Sequence, residues 1–124
     1  MQLDVQTRRI LVVDDDLAFL EGVEMALSGS GQEVHAFANF EDARAALRTM
    51  TFDALLTDVR LGAFNGLQLA LIARTANPNI RIVVISGTDD PVLRGEAAAM
   101  EAEYLVKPVT AKLLQSVLDG EGFD

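Results

Sequence analysis

Ile10-Leu-Val-Val-Asp-Asp-Asp16 decides the fold: four apolar residues with no polar alternation stop abruptly on three acids. An unbroken apolar run this short is the mark of a strand buried on both faces. The acids show where that strand leaves the core. Three further runs behave in the same way. Phe52–Thr57, interrupted by Asp53, is followed by Asp58; Ile82–Ile85 is followed by Ser86; and Tyr104–Val106 is followed by Lys107. Val34-His-Ala-Phe37 is short and alternates more, which suits an edge strand.

Between the runs the apolar residues take helical spacing, as in Leu20, Val23 and Leu27, or Ala43, Ala46, Leu47 and Met50. The boundaries carry helix punctuation. Asp16 reads as the cap of the first helix, Asn39 with Asp42 resembles a capping box, Asp90 precedes Pro91 at a first helical position, and Thr110 can cap the last helix. Gly29 and Gly31 close the first helix, and Asn77-Pro78-Asn79 stops the third. Strands that alternate with helices must pair in parallel, because each crossover is a right-handed helical connection. The expected fold is a doubly wound α/β domain with a parallel sheet of about five strands. In such sheets ligands sit beyond the carboxyl ends of the strands, where the strand order reverses.

Composition narrows the function. The 124 residues are half hydrophobic, enough for one core that buries roughly two thirds of the unfolded surface. Ten Lys and Arg against 19 Asp and Glu leave a formal charge of −9. That balance disfavours direct nucleic-acid or anionic-membrane binding, which needs clustered cations. The chain has no Cys, so thiolate chemistry and disulfides are excluded. Apolar runs fall far short of the roughly 20 residues of a membrane helix, and the N-terminal stretch lacks a signal-peptide core. A cytoplasmic protein is expected, with one domain over 8–119, tails at 1–7 and 120–124, and no output domain after Leu118.

The polar groups that end the strands carry the chemistry. Carboxylates about 5 Å apart repel by roughly 3 kcal/mol per pair at an effective dielectric near 20, so Asp14, Asp15 and Asp58 need a compensating cation. All-oxygen ligation favours Mg2+, with Mn2+ as a substitute. Asp58, alone on its strand, is the natural nucleophile toward phosphorus. Lys107 supplies a point charge for a carboxylate or phosphoryl oxygen, and the Ser86 hydroxyl can donate to another oxygen. Asp14-Asp15-Asp16 on its own would read as a solvated helix-capping turn; its combination with Asp58 and Lys107 makes it a site. His35 has no metal-ligating neighbour at suitable spacing and reads as structural or surface. Met25, Met50 and Met100 read as core fillers, and Glu96, Glu101 and Glu103 as a solvated face.

Val12-Val13-Asp14-Asp15, Asp58, Asn65-Gly66, Ser86-Gly87 and Tyr104-Leu-Val-Lys107-Pro108 occur in that order, and with them nearly the whole chain resembles the receiver domain of two-component response regulators. The resemblance implies a flavodoxin-like sheet of strand order 2-1-3-4-5. It also implies a regulatory domain that catalyses its own phosphorylation and dephosphorylation rather than a turnover enzyme. Asp58 would accept a phosphoryl group from a phosphohistidine on a histidine kinase or histidine phosphotransfer protein. Asp15, Asp58 and the backbone carbonyl of Arg60 would ligate Mg2+, with Asp14 acting largely through metal-bound water. Ser86 and Tyr104 would be switch residues, and the Lys107–Pro108 bond would be cis. The switched surface, formed by the fourth helix, fifth strand and fifth helix, would meet a downstream protein target or pair two copies.

Gly62 stands where the family often has Pro and Asn65 where Asp is common, which implies a looser loop after Asp58 that depends more on metal for its order. The resemblance implies that Arg60 and Thr88 border the phosphoryl site, where they are expected to set the lifetime of the phosphate. Two other readings remain. A small aspartate-nucleophile phosphatase of the haloacid dehalogenase type would use Asp14-x-Asp16, although Ala18 stands where that family expects Thr or Val. A phosphorylation-independent adaptor of the same fold would leave the pocket unused.

Overall fold

Strands and helices alternate through residues 7–119, the part of the chain that the computed structural model describes. The elements are β1 (Arg9–Val13), α1 (Leu17–Gly29), β2 (Glu33–Phe37), α2 (Phe40–Thr49), β3 (Ala54–Asp58), a short ribbon of β4 (Arg60–Leu61) and β5 (Phe64–Asn65), α3 (Gly66–Ala76), β6 (Arg81–Ser86), α4 (Pro91–Ala99), β7 (Glu103–Val106) and α5 (Ala111–Leu118). Five strands form one parallel sheet in the order β2-β1-β3-β6-β7. With the ribbon set aside, that is the expected order 2-1-3-4-5. Apart from Thr7, the segments read as tails, 1–7 and 120–124, lie outside the described residues.

Alternation along the strands sorts the core into two layers. Leu11, Val13, Leu55, Ile82 and Val84 face α2, α3 and α4; Ile10, Val12, Leu56, Val83 and Ile85 face α1 and α5. Because both faces are covered, the middles of β1, β3 and β6 are apolar: Ile10–Val13, Ala54–Leu56 and Ile82–Ile85. The caps fall where the sequence places them. Asp16, Asn39, Asp90 and Thr110 accept from the backbone N–H groups of Phe19, Asp42, Val92 and Leu113 at 2.9–3.2 Å. Each such cap contributes about 1 kcal/mol.

Two sequence expectations are corrected. β3 begins at Ala54 rather than Phe52, because Asp53 is occupied elsewhere: its carboxylate accepts from Arg9 N at 2.8 Å and its own N–H donates to the Arg9 carbonyl. Phe52 stays in the core without strand geometry. Met25 is not a core filler; it is 70% exposed, since the buried stripe of α1 runs Leu20, Val23, Leu27 and a residue two positions from Val23 points away. The loop after Asp58 is shaped into the β4–β5 ribbon. Gly62, at φ +63, turns β4 back onto β5, a conformation closed to proline. Phe64 stacks on Phe40 of α2 with centroids 4.4 Å apart, and Asn65 with Gln68 forms a capping box on α3.

His35 is structural, as its isolation in the sequence implies: Nε2 meets Glu33 at 2.7 Å and the ring edge packs on Phe52. The Lys107–Pro108 peptide is cis. Glu96 and Glu101 are solvated, while Glu103 is partly covered and faces Arg81.

Candidate functional site

Register brings the strand ends level. Val13 lies beside Thr57, Asp58 beside Ile85, and Ser86 beside Val106, so the residues that follow β1 and β7 share a rim with those that end β3 and β6. The strand order reverses between β1 and β3, and the acids flank that point. Asp14, Asp15 and Asp58 each offer a carboxylate oxygen, and these oxygens lie within 4.8 Å of one another.

The three acids are not equivalent. Asp14 is buried, 1% exposed, and is held by its backbone N–H on the Phe37 carbonyl. Its Oδ1 accepts from Asp16 N at 2.9 Å. Its Oδ2 meets Lys107 Nζ at 2.9 Å as an ion pair but accepts no well-aligned hydrogen bond. Asp15 is exposed and Asp58 half-buried. Asp16 caps α1 and takes no part in the cluster.

Burial, and then the charge of Asp14, push the Asp58 carboxyl up to about 6; Lys107 and the Arg60 backbone N–H pull the other way, and Asp15 adds a smaller push upward. Lys107 is also raised. Burial works against its charge, but the close contact and charge of Asp14, then the charges of Asp58 and Asp16, outweigh it. One ammonium therefore faces three carboxylates. An oxygen-only donor set with a buried, incompletely satisfied oxygen fits a hard divalent cation of the Mg2+ or Mn2+ kind.

The sign of the Asp58 effect on stability follows from linkage. Between its ordinary 3.8 and about 6 the folded chain holds a proton that the unfolded chain has released. Stability is therefore greatest below that window, falls as pH rises through it, and is level above it. Asp58→Asn, in buffer with chelator, is expected to match wild type near pH 4 and to exceed it by about 1 kcal/mol at pH 7, a value discounted for the exposed half of the carboxylate. Thermal unfolding across that range checks this.

Ser86 and Lys107 are tied by the Lys107 N–H on the Ser86 carbonyl at 2.7 Å. Ser86 is buried, and its Oγ accepts from Thr88 N at 3.1 Å. Tyr104 lies inward, its hydroxyl donating to the Thr88 carbonyl at 2.8 Å, while Arg94 covers its ring at 4.7 Å. Ser86, Thr88 and Tyr104 thus form one connected unit beside the acids. The Arg60 side chain is exposed at the edge of the rim.

Sequence reading missed one neighbour of the site, Phe19, and gave another, Gly66 of the Asn65-Gly66 element, no role of its own. Phe19 lies under Lys107, with Nζ 4.3 Å from the ring centroid. Gly66 packs so closely on β3 that an added Cβ would stand 2.0 Å from the Asp58 carbonyl oxygen. Position alone signals both faintly: Phe19 is three residues past a cap, and Gly66 opens a helix just after the ribbon.

The family profile described as the response regulator receiver domain matches residues 10–119. This chain belongs to that family. It is the receiver of a two-component response regulator. Among its relatives, a response regulator receiver protein of Anaeromyxobacter sp. is 37% identical over 103 residues, covering 82% of this receiver and 42% of that protein. The alginate biosynthesis transcriptional regulatory protein AlgB of Pseudomonas aeruginosa is 34% identical over 110 residues, covering 86% of this receiver and 24% of AlgB. The receiver thus spans less than half the length of these curated relatives. In structure it is similar to a response regulator protein from Burkholderia pseudomallei solved with a phosphorylated aspartic acid, calcium ion and citrate. The TM-score is 0.84 at 26% identity, over 90% of this receiver and 66% of that chain. No helix among the described residues is long and apolar enough to cross a membrane.

Proposed function

We propose that Asp58 accepts a phosphoryl group from a phosphohistidine on a partner kinase or histidine phosphotransfer protein. An Asp58 oxygen forms the new bond to phosphorus as the P–N bond to the donor imidazole breaks, and the imidazole keeps the electron pair and takes up a proton. The observation that carries this reading is the convergence of Asp14, Asp15 and Asp58 within 4.8 Å, faced by the single ammonium of Lys107. The phosphorylated aspartic acid and calcium ion of the Burkholderia neighbour support it by similarity.

Asp15, Asp58 and the backbone carbonyl of Arg60 would hold Mg2+, or Mn2+ in its place, with Asp14 behind them. Bound there, the cation offsets charge on the transferring phosphoryl oxygens. Lys107 keeps its ammonium at the rim through Asp14, within reach of a phosphoryl oxygen. Ser86 gives up its contact with Thr88 N to donate to another. That movement draws on Thr88, whose carbonyl anchors Tyr104, so the face formed by α4, β7 and α5 changes with it. A downstream protein, or a second copy, reads that face. The phosphatase alternative is disfavoured, because Asp14 is buried against Lys107 and Asp16 is engaged as a cap.

Incubation with acetyl phosphate and Mg2+ is expected to add one phosphoryl group to the wild-type chain. Asp58→Asn, or wild type with chelator, should stay unmodified by intact mass. Equal modification of Asp58→Asn would overturn the assignment.

A further inference from the structure

Lys107 sits between two unlike surfaces. On one side is the Asp14 carboxylate at 2.9 Å; on the other is the face of the Phe19 ring at 4.3 Å. Phe19 is held from both ends. Its backbone N–H donates to the Asp16 cap, and its half-buried ring packs on the α1 and α5 side of the core. The same ring lines the apolar groove between α1 and α5 with Ala18, Gly22 and Val109. The ring is therefore a fixed wall.

Resting on the phospho-acceptor reading above, we propose that Phe19 is a positioning residue for phosphoryl transfer: its ring face clamps the Lys107 ammonium against Asp14 and so aims it at the rim. A lysine stem has four rotatable carbons, and an ion pair with one carboxylate oxygen leaves the ammonium free to swing toward Asp15 or Asp16. The ring face attracts the cation without engaging its protons as firmly as a second carboxylate does. Two of the three N–H donors thus stay available for a phosphoryl oxygen, and the head group pays little entropy to meet it.

The test uses the fact that the chain has only two lysines, Lys107 and Lys112. In wild type, the Lys107 side-chain methylene next to nitrogen is expected to resonate upfield of that of Lys112, because it lies over an aromatic ring. Phe19→Leu, which keeps an apolar side chain but removes the π face, should collapse that difference. The same substitution should slow modification by acetyl phosphate about fivefold, within the range of a partly desolvated cation–π contact. Phe19→Tyr should restore both the shift and the rate. Thermal unfolding of all three proteins separates these effects from a loss of packing.

An unchanged rate in a folded Phe19→Leu whose shift has collapsed would overturn the proposal. So would a wild-type spectrum with no upfield lysine signal, or a rate that falls equally in Phe19→Tyr. If instead the wild type is not modified at Asp58 at all, the underlying reading fails while the lysine spectrum still reports on the clamp.

Discussion

Gly66→Ala is expected to lower the unfolding free energy by about 3 kcal/mol, the upper part of the usual range for overpacking. The added Cβ would stand 2.0 Å from the Asp58 carbonyl oxygen and 2.8 Å from Thr57 Oγ1. No side chain can move aside to relieve the first contact, because both partners are backbone. Either the start of α3 lifts off β3 or the end of β3 shifts. Gly66 N donates to the Val59 carbonyl at 2.7 Å, so a lifted helix also loses that bond. In either case Asp58 is misplaced, and modification by acetyl phosphate should slow on the order of tenfold, since sub-ångström alignment matters at a reacting atom. Gly87→Ala is the control: its methyl meets nothing within 4 Å, and stability should barely change. Urea unfolding of the two variants, compared side by side, checks the pair.

Lys107→Met is expected to cost about 2 to 3 kcal/mol at neutral pH. Removing one partner of a buried pair leaves the other charge uncompensated, and Asp14, at 1% exposed, has no solvent to take over. The figure sits at the lower end for buried pairs because the ammonium itself reaches the rim. Methionine preserves the apolar stem, so the loss reports on charge more than on packing. The Lys107 pKa is raised in the fold above its ordinary 10.5. The contribution of its charge is therefore complete at any pH below that value and is lost only as pH rises through the higher folded value. The gap between wild type and Lys107→Met should hold steady from pH 7 to pH 9 and close only in stronger alkali, which urea titrations at several pH values measure.

Both substitutions test how the rim was legible. Asp14, Asp58, Ser86 and Lys107 could be found because strands covered on both faces are apolar through their middles, so polar residues just after each apolar run mark the end of the sheet. Caps were legible for a similar local reason: Asp16, Asn39, Asp90 and Thr110 each act on N–H groups two or three residues away. The ribbon was not legible, since its two-residue strands depend on Gly62 adopting a positive φ and on Phe64 finding Phe40 24 positions earlier in the chain. Met25 is the same residue type as Met50 and Met100, which pack partly buried against the core, but it faces outward from α1. Tyr104 matches the position of the family's switch aromatic only by resemblance, and its inward position, with the hydroxyl on Thr88 and Arg94 over the ring, is a tertiary choice that no local pattern encodes.

The arrangement also explains why an ionised Asp58 is costly. Asp58 lies close enough to Asp14 and Asp15 that its own ionisation is opposed, while the only ammonium at hand is already paired with Asp14. Such a site stores repulsion that a divalent cation held among the three carboxylates would relieve.

Peptide-resolved mass spectrometry after brief treatment with acetyl phosphate and Mg2+ tests this account most directly. The phosphoryl group should appear on the peptide that contains Asp58 and nowhere else. A group found on Asp14, Asp15 or Ser86, or a chain that remains unmodified with Mg2+ present, would contradict it.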